Sequence, residues 1–209
     1  MKPLHRQVAL VLAVAATALA VATPARAGAP LDQLRQQIDR VMKVLEDPEL
    51  KKETRAKDRR VAVRKIANDI FDFNETAKRS LGRHWLARTP AEQTEFVQLF
   101  SDLLERSYLS KIELYGGEKI QFLSDSLEDG DQAKVQTKIV TKQGSEIPIE
   151  YRMQNRSGKW LVYDVIIEGV SMVSNYRTQF NKIIQTSSFQ ELVKKMKSKQ
   201  EELASGTTS

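Results

Sequence analysis

The residues able to do acid-base chemistry are sparse in this chain of 209 residues. It contains two histidines, His5 near the N-terminus and His84. A histidine-based triad in the main body would have to use His84, which stands beside Gly82 and Trp85 in a short connection. That position is typical of a histidine that packs at a helix end. We therefore expect a structural role for His84.

Two carboxylates, Asp164 and Glu168, lie four residues apart on a predicted strand. At about 3.3 Å per residue their Cα atoms are some 13 Å apart, beyond the roughly 5 to 9.5 Å of a glycosidase carboxyl pair. We expect Asp164 to bond a neighbouring backbone and Glu168 to cap a helix that begins near Ser171.

The sequence gives little support for other kinds of catalytic site. The chain has no cysteine, no glycine-rich phosphate loop, no nucleophile elbow and no cluster of residues with metal-ligand spacing. Tyrosines 151, 163 and 176 leave two readings open, because a phenol beside an aspartate can serve proton transfer and an aromatic with a polar group also suits the mouth of an apolar pocket. We expect no enzyme, no cofactor and no metal.

The N-terminus predicts export. Lys2, His5 and Arg6 precede an apolar run over residues 8–22, and a small-x-small pattern ends at Ala27. We predict a cleaved signal peptide over residues 1–27. The run of 15 residues is shorter than the roughly 20 that span a bilayer as a helix. A mature chain of 182 residues suits one domain, residues 28–203, followed by a disordered tail, residues 204–209.

Positive charge is concentrated in residues 51–65, which hold eight Lys and Arg against two acids. The mature chain as a whole carries 30 basic and 27 acidic residues, because the predicted signal peptide removes three of the 33 basic ones. The segment is either a solvated helix face or a docking face for anionic headgroups or an acidic partner. It has no interleaved aromatics, so we expect no nucleic-acid partner.

Helices are predicted on both sides of a strand-rich middle. Apolar residues at helical spacing predict one helix from Leu31 that Pro48 closes, and a second from about Glu53 to Ile70. A short helix ends at residues 81–82. Capping boxes predict helix starts at Thr89 and Ser188, and a further helix follows Gly169.

Four strands are predicted over residues 119–123, 133–141, 146–154 and 160–168, separated by Asp-Gly, Gln-Gly and Ser-Gly turns. In the third, Ile149 and Tyr151 share one face while Glu150 and Arg152 share the other, which indicates one wet side. Pro148 predicts an edge position or a bulge. The whole predicts an α+β domain with helices packed on a curved, mainly antiparallel four-stranded sheet.

The strand-to-helix junction over residues 160–180 is the most specific segment. Its Tyr163-Asp164 and Glu168-Gly169-Val170-Ser171 resemble, in register, the signature of the phospholipid-binding component of the Mla (maintenance of lipid asymmetry) pathway, the toluene-tolerance Ttg2 family. Two weaker places support the resemblance. One is Phe71-Asp72-Phe73 with Leu81-Gly82 and Trp85, and the other is Thr89-Pro90-Ala91-Glu92 leading to Phe96, Phe100 and Tyr108.

The resemblance implies a fold related to the nuclear-transport-factor-2 (NTF2-like) type, with an apolar cavity for phospholipid acyl chains. Periodicity alone leaves a filled core open. The resemblance further implies a monomeric periplasmic carrier that moves phospholipid cargo between the outer and inner membranes and so maintains outer-membrane lipid asymmetry. Its implied partners are an outer-membrane lipoprotein component and an inner-membrane ABC transporter complex with a lipid-binding ring domain. Three alternatives stay open: a hopanoid-associated lipid-binding protein of the same family, a non-lipid NTF2-like enzyme and an envelope adaptor.

The predicted site has two parts. The residues predicted to line the cavity are Phe96, Phe100, Leu103, Tyr108, Ile149, Tyr151, Val165, Ile167, Val170, Tyr176 and Phe180. The residues predicted to dock on a partner or membrane are Arg59, Arg60, Arg64 and Arg177.

Overall fold

The computed structural model of the protein describes residues 29–204, apart from the side chains of residues 109–111 and 202–204. The predicted signal peptide, residues 1–27, lies outside this range. So do residues 205–209 of the predicted tail, whereas Ala204 is the last residue of a helix.

Six α-helices occur in the described range. They are α1 (Ala29–Glu46), α2 (Ala56–Ile70), α3 (Phe73–Leu81), α4 (Pro90–Glu113), α5 (Met172–Thr186) and α6 (Phe189–Ala204). Short 3-10 turns precede α2 at Glu53–Arg55 and follow α3 at Gly82–His84.

Side-chain caps fix where the helices begin. At the start of α4, Thr89 N donates to Glu92 Oε2 at 2.8 Å and Glu92 N donates to Thr89 Oγ1 at 3.2 Å, the reciprocal pair that the sequence predicted. Ser188 caps α6 through Glu191 N at 3.1 Å. Asp72 caps α3 by accepting from Glu75 N at 2.9 Å. These bonds satisfy amide groups that a helix start would otherwise leave unpaired.

An antiparallel sheet with strand order β1-β2-β3-β4-β5 follows α4. Its strands are β1 (Lys119–Leu127), β2 (Gln132–Val140), β3 (Glu146–Arg156), β4 (Lys159–Ile167) and β5 (Val170–Ser171). The α+β class and the four main strands are confirmed, and a two-residue fifth strand is added. It forms a hairpin through Glu168 and Gly169, both at positive φ.

The predicted edge position or bulge at Pro148 is wrong. Pro148 lies in β3, between β2 and β4, and the β2–β3 pairing continues past it without a register shift. Its carbonyl oxygen accepts from Glu168 N at 3.1 Å, at the point where β4 has already turned toward β5. In an antiparallel strand the N and O of one residue point to the same side. The proline nitrogen therefore faces a place where no ladder donor is required.

The sheet has one apolar and one polar face, as predicted. Val135 of β2 lies opposite Tyr151, and Tyr151 lies opposite Val165, so these three share the face that we call the inner face. On β4 the register shifts between Arg152 and Met153, which leaves Tyr163 as an extra residue. Such a bulge re-aims side chains and bends the strand.

The helices form two groups. Helices α1 and α2 pack on the inner face of the sheet, where Leu34, Ile66 and Ile70 meet Val135 and Met153. Helices α3 to α6 form the second group, joined to the sheet along β4: Asp72 N donates to Val162 O at 2.9 Å. Helix α4 packs on α3 and α6 and also reaches α2.

Candidate functional site

Two of the three apolar clusters among the described residues hold predicted lining residues. The helix cluster belongs to α3, α4, α5 and α6 and is centred on Phe96, Phe100 and Phe180. The sheet cluster joins α1 and α2 to the inner face and is centred on Val135, Met153 and Val162. Eight of the eleven predicted lining residues belong to these two clusters. The helix cluster holds Phe96, Phe100, Leu103, Tyr108, Tyr176 and Phe180, and the sheet cluster holds Tyr151 and Val165.

Three of these residues form a filled core. Phe96, Phe100 and Phe180 are exposed by no more than 4%. The ring of Phe180 meets those of Phe96 and Phe100 edge-on, with centroids 5.6 and 5.2 Å apart. Rings that close upon one another in this geometry stabilise the fold. They lie behind any cavity wall.

Two tyrosines, Tyr108 and Tyr176, pack at the edge of the helix cluster. Tyr176 meets the ring of Phe100 edge-on at 5.0 Å and is only half-buried. Burial raises the pKa of Tyr108 and of Tyr176, and the two phenols lie close enough to influence each other. Each therefore presents a neutral, weakly polar group beside an apolar wall.

Tyr151 on the inner face combines two properties. It lies deep in the protein, and this burial raises the pKa of its hydroxyl. It nevertheless keeps part of its surface accessible, as does its cross-strand neighbour Val165. Tyr151 and Val165 are therefore only partly covered by the groups packed around them.

Four half-buried side chains pack against the two clusters. Leu103 and Tyr108 of α4 belong to the helix cluster, and Tyr151 and Val165 belong to the sheet cluster. We call the region that these four partly accessible side chains border the gap.

The other three predicted lining residues lie near one end of the sheet. Ile149 is buried at 8% exposure, but Ile167 and Val170 are exposed at 38% and 62%. A hollow of about 300 Å³ borders Ile149 together with Leu123 and Pro148. This is at the low end of the roughly 300–1,000 Å³ of ligand pockets. Ile167 lies opposite Ile149 on the inner face, two residues beyond Val165, and Val170 of β5 pairs with Ile167.

Asp164 is buried and both its oxygens are occupied. Oδ2 accepts from Ser171 Oγ at 2.6 Å, and Oδ1 accepts from Val173 N at 3.0 Å. Ser171 in turn caps α5 by accepting from Ser174 N. The predicted backbone role of Asp164 is confirmed, but Glu168 does not cap α5: it lies in the β4–β5 turn at φ 49°, and Ser171 takes its place.

The predicted docking arginines on α2 are paired with acids of α4. Arg60 Nε lies 3.1 Å from both carboxylate oxygens of Glu113, and this hydrogen bond raises the pKa of Arg60. Arg64 Nε donates to Glu105 at 2.6 Å. The side chain of Arg59 is only 13% exposed and donates to the carbonyl of Leu50 at 2.8 Å.

These pairs join α2 to α4. They involve exposed arginines at Arg60 and Arg64 but a largely buried Arg59. The sequence showed the positive run and gave no sign of its partners, because Glu105 and Glu113 are distant in the chain.

Sequence reasoning missed a surface pocket between α3 and α5. It has a volume of about 310 Å³ and is lined by Leu81, Arg83, His84, Arg177, Thr178 and Asn181. His84 Nε2 lies 3.0 Å from Asn181 Oδ1, which agrees with a packing role at a helix end. The signal in the sequence was the spacing of Arg177 and Asn181, which puts both on one side of α5.

Neither a metal site nor a membrane-spanning helix is found among residues 29–204. Over residues 29–204 no three His, Cys, Asp or Glu side chains come together as a metal site would require. In that same range, no helix has the length and apolarity to cross a bilayer.

The fold and these residues define an α+β protein in which helices cover the apolar face of an antiparallel meander and tyrosines border the gap. The chain belongs to the MlaC family, whose model, described as MlaC protein, matches residues 35–198. A solved structure, the phospholipid-binding protein of Ralstonia solanacearum in complex with a phospholipid, shares the fold with a TM-score of 0.71. The two are 22% identical, and the match covers 83% of this chain and 97% of that one.

Two relatives are similar in sequence. The intermembrane phospholipid transport system binding protein MlaC of Haemophilus influenzae is 25% identical over 138 residues, 63% of this chain and 64% of that protein. Toluene tolerance protein ttg2D of Pseudomonas putida is 25% identical over 120 residues, 57% of this chain and 56% of that protein. The chain thus spans less than two thirds of the length of both relatives.

Proposed function

We propose that the protein is a periplasmic phospholipid carrier that moves lipid between the outer and inner membranes without covalent chemistry. The gap carries this proposal, because its walls are apolar yet partly accessible at Tyr151, Val165, Leu103 and Tyr108. The Ralstonia solanacearum protein of the same fold holds a phospholipid, which supports the same reading.

The acyl chains are proposed to enter the gap between the tyrosines. Leu103, Tyr108, Ile149, Tyr151, Val165 and Tyr176 form the proposed wall, with Phe96, Phe100 and Phe180 as the packed layer behind them. Ile167 and Val170 are proposed to lie at the rim, because they are more exposed than Tyr151 and Val165.

The free energy of burying acyl chains requires that such a carrier release its lipid while it is docked on a partner. Burying roughly 30 methylenes of two acyl chains at about 0.8 kcal/mol each gives more than about 20 kcal/mol relative to water. This reaches the practical limit of non-covalent affinity, about 18–21 kcal/mol, so release into water would be extremely slow. Docked partners must therefore receive the lipid directly, and by resemblance to the family we propose an outer-membrane lipoprotein component and an inner-membrane ABC transporter complex.

Co-purified lipid tests the function. The chain is exported to the periplasm of a diderm host, purified without detergent and examined by native mass spectrometry, followed by lipid extraction. We expect a folded protein with one or more phospholipid mass increments. Hopanoid in place of phospholipid would support the hopanoid-associated alternative, and an empty, cooperatively folded protein would support an adaptor or an enzyme.

Docking through the exposed arginines of α2 is a second part of the proposal. Arg60 and Arg64 remain 59% and 51% exposed beside their acidic partners, whereas Arg59 is held against Leu50 and Glu113. Changing Arg60 and Arg64 to Gln removes the charge without placing like charges beside Glu113 and Glu105. This change should slow lipid transfer to the receiving complex at low salt and leave bound lipid unchanged, because rim charges act mainly on encounter rate. Transfer at the wild-type rate would show that these residues serve only the α2–α4 contact.

A further inference from the structure

The pocket between α3 and α5 gathers cationic groups. Three of its six lining residues, Arg83, His84 and Arg177, carry or can carry positive charge, and none of the six is acidic. This differs from α2, where acids of α4 face the arginines. A concave site with one sign of charge focuses the field on its interior.

Asn181 orders one wall of this pocket. Its Oδ1 accepts from Arg83 Nη2 at 2.9 Å and contacts His84 Nε2 at 3.0 Å, while its Nδ2 donates to Gln185. Because the shared amide oxygen can only accept, the His84 Nε2 must carry a hydrogen. The side chains of Arg83 and His84 are thereby held side by side.

Gly82 orders the opposite wall. It has a φ of 57°, and a Cβ at this position would lie 3.4 Å from Cδ of Arg177. The glycine thus lets the aliphatic stem of Arg177 lie against the chain at the end of α3. Arg177 Nε then donates to the carbonyl of Arg79 at 2.9 Å, which fixes the plane of the guanidinium.

The hydrogen bonds of Arg83 and Arg177 within the protein occupy only some of their N–H donors. A guanidinium carries five N–H donors. Hydrogen bonds among the described residues engage the Nε of Arg177 and the Nη2 of Arg83, so most donors of both groups remain for a ligand. Planar guanidinium donors match the oxygens of a phosphate in a two-point geometry.

We propose that this pocket binds a phosphate group through the guanidinium groups of Arg83 and Arg177. Its source is a phospholipid headgroup at a membrane surface or free phosphate, which present the same chemistry. The headgroup source rests on the proposed carrier function, whereas binding of free phosphate does not.

Titration with inorganic phosphate tests the pocket directly. The purified protein is titrated at constant ionic strength by calorimetry, and Arg83→Gln, Arg177→Gln and Arg177→Lys are compared with wild type. The matched control is Arg40→Gln, an exposed arginine of α1 that is likewise hydrogen-bonded, here to Asp69. We expect saturable binding that Arg83→Gln and Arg177→Gln weaken by about tenfold or more and Arg177→Lys weakens less, with the control unchanged. Thermal melts establish that each variant is folded, and Arg83→Gln, on an exposed residue, remains informative if Arg177→Gln is unstable.

Vesicles of phosphatidylglycerol distinguish the two sources. If the headgroup is bound, Arg83→Gln lowers co-sedimentation far more than Arg40→Gln, and added phosphate competes. If free phosphate is the ligand, Arg83→Gln lowers phosphate binding and leaves co-sedimentation equal to the control. Either result supports the pocket. Absence of saturable phosphate binding by wild type, or equal binding by Arg83→Gln, Arg177→Gln and Arg40→Gln in both assays, overturns it. Co-purified lipid is measured separately, so failure of the carrier function is recognised independently.

Discussion

The helix cluster and the wall of the gap are built from similar residues but packed differently. Leu104 of the helix cluster is 5% exposed, whereas Leu103, the preceding residue of the same helix, is half-buried. Val162 of the sheet is fully buried, whereas Val165 on the same strand is accessible. Residue type therefore does not separate core from wall in this protein. The separation lies in how much of each side chain stays accessible, which is almost nothing in the core and a part of the side chain at the proposed wall.

The largest expected effect is a difference in stability between two leucine truncations. Leu104→Ala should lower the free energy of unfolding by about 2–5 kcal/mol, because it removes apolar burial and leaves a new cavity. Leu103→Ala should cost about 1–2 kcal/mol, because its side chain is already partly accessible. Urea titration of both variants measures the difference. Because both variants exchange Leu for Ala in the same helix, the change in helix propensity is the same in each and cancels. Equal losses would mean that the gap is as tightly packed as the core.

The next effect concerns two valines of β4. Val162→Phe should overpack the sheet cluster and destabilise the protein by about 1–3 kcal/mol. Val165→Phe should be accommodated in the gap, keep a cooperative melt and reduce the phospholipid that co-purifies. Lipid extraction and thermal melts of the two variants are compared. A Val165→Phe protein that unfolds as readily as Val162→Phe and keeps its lipid would place the binding site elsewhere.

The smallest effect is on alkaline stability. Burial raises the pKa of Tyr151 and Tyr176 in the folded state, while the unfolded chain keeps a value near 10. Their neutral forms therefore contribute stability that is fully present below pH of about 10 and is lost as pH rises toward the folded values. Changing both to Phe should make the decline above that pH shallower and leave neutral stability nearly unchanged. If the urea midpoint of the double variant falls above a pH of about 10 as steeply as that of the wild type, the burial of these hydroxyls is contradicted.

Local chemistry made the elements of the fold predictable. The capping boxes at Thr89 and Ser188 marked two helix starts, and glycine turns separated the four main strands. Pro148 was misread, because its tolerance depends on where β4 ends, which is a property of the neighbouring strand.

The site was less predictable because burial depth is a tertiary property. Phe100 and Leu103 recur on one helical stripe, yet one is core and the other borders the gap. The bulge at Tyr163 cannot be read from alternation, and the acids that pair with Arg60 and Arg64 lie on a distant helix. Spacing identifies which residues face inward, but not what they meet.

The carboxylate of Asp164 has a mechanical consequence. By holding Ser171 Oγ and Val173 N it ties β4, the β5 hairpin and the first turn of α5 into one stiff corner. Helix α4, by contrast, is attached to α2 by ion pairs in which Arg60 and Arg64 are open to water. Exposed pairs of this kind hold weakly and exchange readily. The α2–α4 contact is therefore the more yielding of the two, whereas α4 stays held to α5 through the rings of Phe96, Phe100 and Phe180.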